Sequence, residues 1–102
     1  GDWFPSDNPG TSEQAWPNDA NWNRLGAQPP GRAVYFSYLT VAGGPGTTPT
    51  TLFGAPDLGF SGEDFWFVAS ALGDLDGDGV NVTFEAYSEN QNIWCSSARG
   101  WE

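Results

Sequence analysis

A short acidic segment between two strand-like segments constrains the fold of this sequence most. Residues 74–79 contain three aspartates at alternate positions, and the last two aspartates are each followed by glycine. Residues 65–72 before this segment and residues 80–87 after it are rich in aromatic and β-branched residues, which favour strands. Asp-Gly pairs are favoured turn formers, and strands joined by so short a connection are antiparallel neighbours. The sequence therefore predicts an antiparallel hairpin with an acidic loop at its tip.

Two further strands and one short helix complete the predicted fold. Residues 33–42 have the clearest strand pattern, with apolar side chains on both faces, which predicts a central position in the sheet. Residues 92–97 predict a short last strand, and residues 18–26 predict a helix that Asn18 caps. We therefore expect an α+β, mainly β fold, with a four-stranded antiparallel sheet within residues 33–97, a short N-terminal helix and long loops.

The N-terminal arm combines loop-forming residues with large aromatic rings. A chain of 102 residues is expected to form a single domain. Residues 1–17 contain three prolines and several small polar residues, so we expect an irregular arm. The arm nevertheless carries Trp3, Phe4 and Trp16. These rings pack either on the domain's own core or on a partner, which makes them candidate interface residues.

The charge and the reactive residues of the chain exclude several function classes. The sequence has 13 Asp and Glu, three Arg and no Lys or His, for a net charge of −10. Phosphate and anionic lipid surfaces attract clustered cations, so we expect no nucleic acid to be bound by this domain alone. No apolar segment is long enough to span a bilayer, so direct membrane insertion is not expected. Without His or Lys to activate Cys95 or a serine, we expect no enzymatic activity.

The acidic loop has the spacing of a calcium cradle. Three alternate carboxylates and one carbonyl form the candidate metal site: Asp74, Asp76, Asp78 and the carbonyl of Val80. Glu85 occupies the twelfth position of the helix-loop-helix calcium pattern, but a strand after the loop would carry its carboxylate away. Water or a distant acid would then complete the shell, and the candidate acids are Asp57, Glu63 and Asp64. A weak calcium site is therefore predicted, and the alternative is a hairpin turn without metal.

The order of these motifs resembles that of a known family. The motifs are, in chain order, Trp-Asn-Arg-Leu-Gly at residues 22–26, Pro-Gly at 30–31, Val-Tyr-Phe-Ser-Tyr at 34–38, a Phe-rich second strand and Ala-Leu-Gly-Asp-Leu-Asp-Gly-Asp-Gly at 71–79. This order is similar to that of the globular C-terminal half of bacterial type IV pilins, in the subgroup with a Gly-Asp-Leu-Asp-Gly-Asp-Gly loop. The resemblance covers roughly residues 16–87.

The resemblance implies a structural subunit of an extracellular, cell-surface type IV pilus-like filament that assembles with copies of itself. Pilins pack a long apolar N-terminal helix in the filament core. This sequence departs from the family because that helix is missing and because the paired C-terminal cysteines are reduced to Cys95. Two explanations stay open. The helix belongs to the same precursor, or this chain is the separate globular chain of a split two-chain pilin.

A secreted, calcium-stabilised carbohydrate-binding module is the alternative function. Such modules are small and β-rich and present exposed aromatic rings to sugars. The rings available for such a platform are Trp3, Trp16, Trp66, Trp94 and Trp101. The exposure of these rings distinguishes the two functions, because a ring buried in the core cannot stack on a sugar.

Overall fold

The computed structural model describes residues 3–26, 29–51 and 58–96, and these residues form a mainly β fold with one short helix. The elements in chain order are β1 (Gln14–Ala15), α1 (Ala20–Arg24), a 3-10 turn (Pro30–Arg32), β2 (Ala33–Val34), β3 (Ser37–Gly43), β4 (Trp66–Gly73), β5 (Val82–Tyr87) and β6 (Asn90–Cys95). The predicted fold class is confirmed. None of the helices in the described parts of the chain has the length and apolar character needed to cross a membrane.

Strands β3 to β6 form one antiparallel sheet in sequence order, and β1 pairs with β2 in a separate two-stranded sheet. The prediction of one central strand over residues 33–42 was wrong. The chain leaves strand conformation at residues 35 and 36, and β3 lies at the edge of the sheet. Both of its faces carry apolar residues because one face packs on the core and the other belongs to an open apolar surface. The outer edge of β3 is bridged by the arm, where Phe4 and Tyr38 exchange backbone hydrogen bonds of 2.9 and 2.7 Å.

One face of the sheet carries the core and is called the core face below. Trp66, Val68 and Tyr87 form its buried cluster. Four partly buried apolar side chains pack against this cluster: Val41, Leu58, Phe60 and Trp94. Burial of three such side chains stabilises a domain of this size by several kcal/mol, at about 1.5–3 kcal/mol for each side chain. The core face therefore holds the sheet together.

Strand β5 turns a charged residue toward the core face. Glu85 is 0% exposed and pairs across the sheet with Ser70, which is also buried. Burial raises the pKa of the Tyr87 hydroxyl, and the nearby charge of Glu85 raises it further. The opposite face of β5 carries Val82, which is 0% exposed, and Phe84 and Ala86, which are less buried. Burial therefore alternates from Phe84 to Tyr87, with the charged residue on the buried side.

The ends of several elements differ from the sequence-based prediction. Helix α1 is shorter than the predicted helix over residues 18–26, and its N-cap is Asp19, so the prediction of Asn18 as the cap was wrong. The Asp19 carboxylate accepts the N–H groups of Asn21 at 2.9 Å and Trp22 at 3.1 Å. A capping side chain accepts the N–H groups two and three residues further along the chain, so Asn18 is one residue too early to cap a helix that starts at Ala20. Strand β6 starts at Asn90, earlier than predicted, because a tight turn joins it to β5.

Gly43 allows the buried indole of Trp66 to lie against β3. A Cβ atom at Gly43 would overlap the Trp66 ring and the Thr47 hydroxyl. Trp66 cannot move away easily, because its Nε1 donates hydrogen bonds to the Thr47 hydroxyl at 2.9 Å and to the Thr47 carbonyl at 3.1 Å. The position therefore requires a residue without a side chain.

We expect Gly43→Ala to lower the free energy of unfolding by about 1–3 kcal/mol, since overpacking forces the ring or the strand to shift. Gly44→Ala is the matched control, because the nearest atom to a Cβ there is a Phe65 ring carbon at an ordinary 3.7 Å. This control should stay within about 0.5 kcal/mol of the wild type. Urea denaturation followed by tryptophan fluorescence measures both values, and equal losses in the two variants would contradict the argument.

Candidate functional site

The acidic loop between β4 and β5 brings together the three aspartates of the predicted metal site. Each of Asp74, Asp76 and Asp78 offers a carboxylate oxygen, and these oxygens lie within 4.8 Å of one another. Asp74 is buried and organises the loop, since its two oxygens accept the N–H groups of Gly77 and Gly79, each at 3.0 Å. Gly77 and Gly79 both have positive φ angles, which only glycine adopts without strain. The local sequence therefore folds into a concave group of carboxylates.

The donor set of this loop suits a hard divalent cation. One carboxylate oxygen of Asp76 accepts the backbone N–H of Asp78 at 3.2 Å, and one carboxylate oxygen of Asp78 accepts the backbone N–H of Val80 at 2.7 Å. The hydrogen bond from the Asp78 N–H lowers the pKa of Asp76, but desolvation, repulsion by the Asp78 carboxylate and side-chain hydrogen bonds with Asp74 and Asp78 together raise that pKa above its ordinary value. A divalent cation would relieve the same crowding. The residues present therefore fit calcium, and calcium stays a proposal.

None of the described acids outside the loop joins this group. Glu85 lies within strand β5 opposite Ser70, about 13 Å along β4 from Asp74 at 3.3 Å per residue. Glu63 and Asp64 precede β4 and so lie beyond the opposite end of that strand from the loop. Asp57 lies outside the described residues. Among the described residues, no acid outside the loop can supply a further ligand, so water would have to do so.

Four aromatic rings from the arm, helix α1 and strand β3 pack into one group, called the aromatic cluster: Phe4, Trp16, Trp22 and Tyr38. The rings of Phe4, Trp16 and Trp22 contact one another, with the Phe4 centroid 4.7 Å from Trp16 and 5.2 Å from Trp22 and the two indole centroids 5.5 Å apart. Burial raises the pKa of the Tyr38 hydroxyl. The arm is fixed to the cluster region by a backbone hydrogen bond of 2.8 Å from Trp16 to the Arg32 carbonyl.

The three candidate interface rings of the arm are placed differently. Trp16 is 7% exposed, so it packs on the domain itself. Phe4 is partly buried against the two indoles, and Trp3 is partly buried, with its backbone N–H donated to the Asp7 carboxylate at 3.3 Å. Trp22 and Tyr38 are the members of the cluster that reach an open surface of the sheet. A direct contact of the arm with a partner stays a prediction, and the arm's visible role is to hold Trp22 and Tyr38 in place.

The face of the sheet opposite the core face forms an apolar groove of about 360 Å³. Small side chains of β4 and β5 form its floor, namely Ala69, Ala71 and Ala86. Larger side chains form its walls: Trp22, Tyr38, Phe84 and Ile93. One end of the face is closed by Phe36, whose ring lies over Gly73 and 6.2 Å from the Phe84 ring. The groove is therefore a shaped surface and not a flat side of the sheet.

The groove is not among the sites that the sequence predicted. Its signal is present in the alternation of β4, where the buried residues Trp66, Val68 and Leu72 alternate with residues of the other face, among them Ala69 and Ala71. Alternate alanines on one face of a strand indicate close approach of another element to that face. The pattern did not reveal which of the two faces the domain itself covers.

The structure also tests how many tryptophans are available to a sugar. Trp16 and Trp66 are both buried, and Trp66 belongs to the core cluster. Trp94 is partly buried against the same cluster, and Trp101 lies outside the described residues. A row of exposed indoles is therefore not formed by the described tryptophans, although Trp3 and Trp22 are partly exposed.

Calcium should stabilise the folded domain through the acidic loop. For a site with millimolar affinity, about 10 mM calcium should raise Tm by about 5 °C or more. The double variant Asp76→Asn/Asp78→Asn should abolish this rise because it removes two charged ligands. Asp7→Asn/Asp19→Asn changes the net charge equally outside the loop and keeps a good helix cap, so it should retain the rise. Thermal melts with and without calcium measure the effect, and an unchanged wild-type Tm would refute the site.

The three comparisons with known proteins leave the function to be argued from this geometry. No family model, no curated protein and no solved structure matches the chain. The resemblance to pilins therefore rests on the sequence motifs described above, and the function that it implies is a proposal.

Proposed function

We propose that this chain is a structural subunit of an extracellular type IV pilus-like filament, and that its apolar groove packs on an apolar helix from the same precursor or from a partner chain. The observation that carries the proposal is the unequal covering of the sheet. The core face is packed by the domain's own side chains, whereas the other face is covered at its Gly73 end, where Phe36 lies and Val82 is buried, and leaves an open groove lined almost entirely by apolar atoms. A sheet with two apolar faces is stable when another element covers each of them.

The shape of the groove favours a helix as the covering element. Ala69, Ala71 and Ala86 make a low floor between higher aromatic and aliphatic walls. A ridge of larger side chains on a helix fits such a floor, because helices bury a stripe of residues three and four positions apart. Strand β4 has 8 residues and spans about 26 Å. Because the Phe36 ring covers Gly73, a helix along the remaining length of about 23 Å needs about 15 residues at 1.5 Å per residue.

The charge of the chain favours a helix over a second copy of the same domain on this face. Two copies that each carry a net charge of −10 repel one another when their faces meet. An apolar helix brings no such repulsion. Copies in a filament would therefore associate mainly through their helices, with the acidic domains facing the solvent, which matches an extracellular, cell-surface location.

Calcium, where bound, would act at the base of this surface. The acidic loop follows Gly73, the last residue of β4, and precedes Val82, which pairs with Gly73. Fixing the loop fixes the end of the β4–β5 hairpin and so the spacing of the alanine floor. We therefore assign calcium a structural role in the proposed subunit and no part in a reaction.

The proposal can be tested in the native host by placing a charge on the groove floor. Ala71→Glu should reduce the number of surface filaments at least tenfold, because a carboxylate on the floor would be buried under the helix without a partner. Ala15→Glu is the matched control, since Ala15 is an exposed strand residue outside the sheet that forms the groove. Electron microscopy with an antibody against this chain measures the filaments.

A second variant separates loss of assembly from loss of folding. Ile93 is 68% exposed, so Ile93→Glu should leave the Tm of the purified domain within a few degrees of the wild type. The same variant should still remove filaments, because Ile93 is a wall of the groove. Normal filament numbers with Ala71→Glu and Ile93→Glu would refute the groove as the assembly surface.

The carbohydrate-binding alternative receives less support from the described residues. Burial of Trp16 and Trp66 removes two of the five rings on which that alternative depends. The groove walls do contain Trp22 and Tyr38, but the floor between them lacks the polar groups that hold sugar hydroxyls. Retention of the chain on an insoluble polysaccharide would favour this alternative.

A further inference from the structure

The open surface continues beyond the groove to a pair of exposed phenylalanines. Ala42 and Phe67 pair across β3 and β4, next to the pair Thr40 and Ala69, and the residues of both pairs lie on the groove face. Phe67 is 46% exposed, and Phe65 just before β4 is 73% exposed. Exposed rings of this size next to an apolar groove mark an interaction surface more often than isolated apolar residues do. We call Phe65 and Phe67 the phenylalanine end of the groove.

Two acidic residues adjoin the phenylalanine end. The Asp64 carboxylate accepts the N–H of Phe65 at 2.8 Å, which fixes it beside that residue. Ser88 and Phe67 are joined by two hydrogen bonds of 3.1 Å, and Glu89 follows Ser88 directly. Asp64 and Glu89 are both exposed. Two exposed acidic residues therefore adjoin the two residues that carry the exposed aromatic rings.

This combination suits one chemical group on a partner. A Lys or Arg side chain is attracted both by the face of an aromatic ring within about 6 Å and by carboxylates. A neutral or acidic side chain gains from neither. The chain itself is poor in cations, with three Arg and no Lys, and the two described arginines, Arg24 and Arg32, lie on other elements, at α1 and at the 3-10 turn.

We propose that the helix bound in the groove carries a Lys or Arg where it passes the phenylalanine end, so that Phe65, Phe67, Asp64 and Glu89 form a cation-binding end of an otherwise apolar docking surface. The inference rests on the proposed function, because it assumes that a helix occupies the groove. It adds the chemistry of that helix: an apolar stripe of about 15 residues with a cationic group at one end of the stripe. The apolar part supplies most of the binding, and the cationic end sets the position of the helix along β4.

Two synthetic helical peptides test the inference directly on the purified chain. Both peptides carry leucines three and four positions apart, which form one stripe, and glutamine at the other positions. The lysine peptide has two lysines at each terminus, and the glutamine peptide has two glutamines there. The lysine peptide should bind about tenfold tighter at low salt, and the difference should shrink to about twofold or less in 0.5 M NaCl because exposed charges are screened. Fluorescence anisotropy of labelled peptides measures both affinities.

Charge-removing variants of the chain identify the carboxylates responsible. Asp64→Asn/Glu89→Gln should bring the lysine peptide to within about twofold of the glutamine peptide. Asp7→Asn/Glu13→Gln removes the same net charge from the arm and should keep the difference. The Asn at position 64 retains the oxygen that accepts the Phe65 N–H, so the local fold should persist.

The outcomes separate this inference from the proposed function. Equal binding of both peptides to the wild-type chain would overturn the cation-binding end and leave the groove proposal intact. Equal effects of the two double variants would also overturn it, because the attraction would then come from net charge alone. Failure of both peptides to bind at 1 mM would overturn both proposals, since the groove would then not hold an apolar helix.

Discussion

Packing on one face of the sheet determines the arrangement of the whole domain. Trp66, Val68 and Tyr87 direct their side chains to the core face, and the loop before β4 contributes Leu58 and Phe60 to the same side. Since side chains alternate along a strand, this choice places the neighbouring residues of β4 and β5 on the other face. Those residues include Ala69, Ala71 and Ala86, so the middle of the second face is low, apolar and open. The open groove is thus a direct consequence of where the large rings are buried.

The other described elements form the walls and one end of this groove and leave its alanine floor uncovered. The aromatic cluster attaches the arm and helix α1 to the start of β3, and it holds Trp22 and Tyr38 as one wall. Phe36 closes one end over Gly73, while the opposite end stays open at Phe67. The acidic loop lies at the closed end of the hairpin and carries the carboxylates that suit calcium. Metal binding and helix docking would therefore stabilise the same hairpin from two places.

The elements that were predicted well depend on local chemistry. The hairpin around the acidic loop follows from Asp-Gly turns and alternating strands, and the loop carboxylates converge because three aspartates at alternate positions share one bend. The rejection of Glu85 as a ligand follows from the strand that contains it, and β5 does pair Glu85 with Ser70. The edge position of β3 was missed because an apolar pattern on both faces does not distinguish a central strand from an edge strand whose second face lines a groove.

The mainly β fold class, the hairpin and its cluster of carboxylates could be predicted from the amino-acid sequence, because turn formation and strand alternation act over a few neighbouring residues. The inward packing of Trp16, the burial of Glu85 and the open groove beside the alanines of β4 and β5 could not, and they became visible in the folded chain. The physical reason is that burial depends on which distant side chains compete for one face of the sheet. Alternation divides each strand into two faces, but the face that becomes the core is chosen by the packing of large rings from separate parts of the chain.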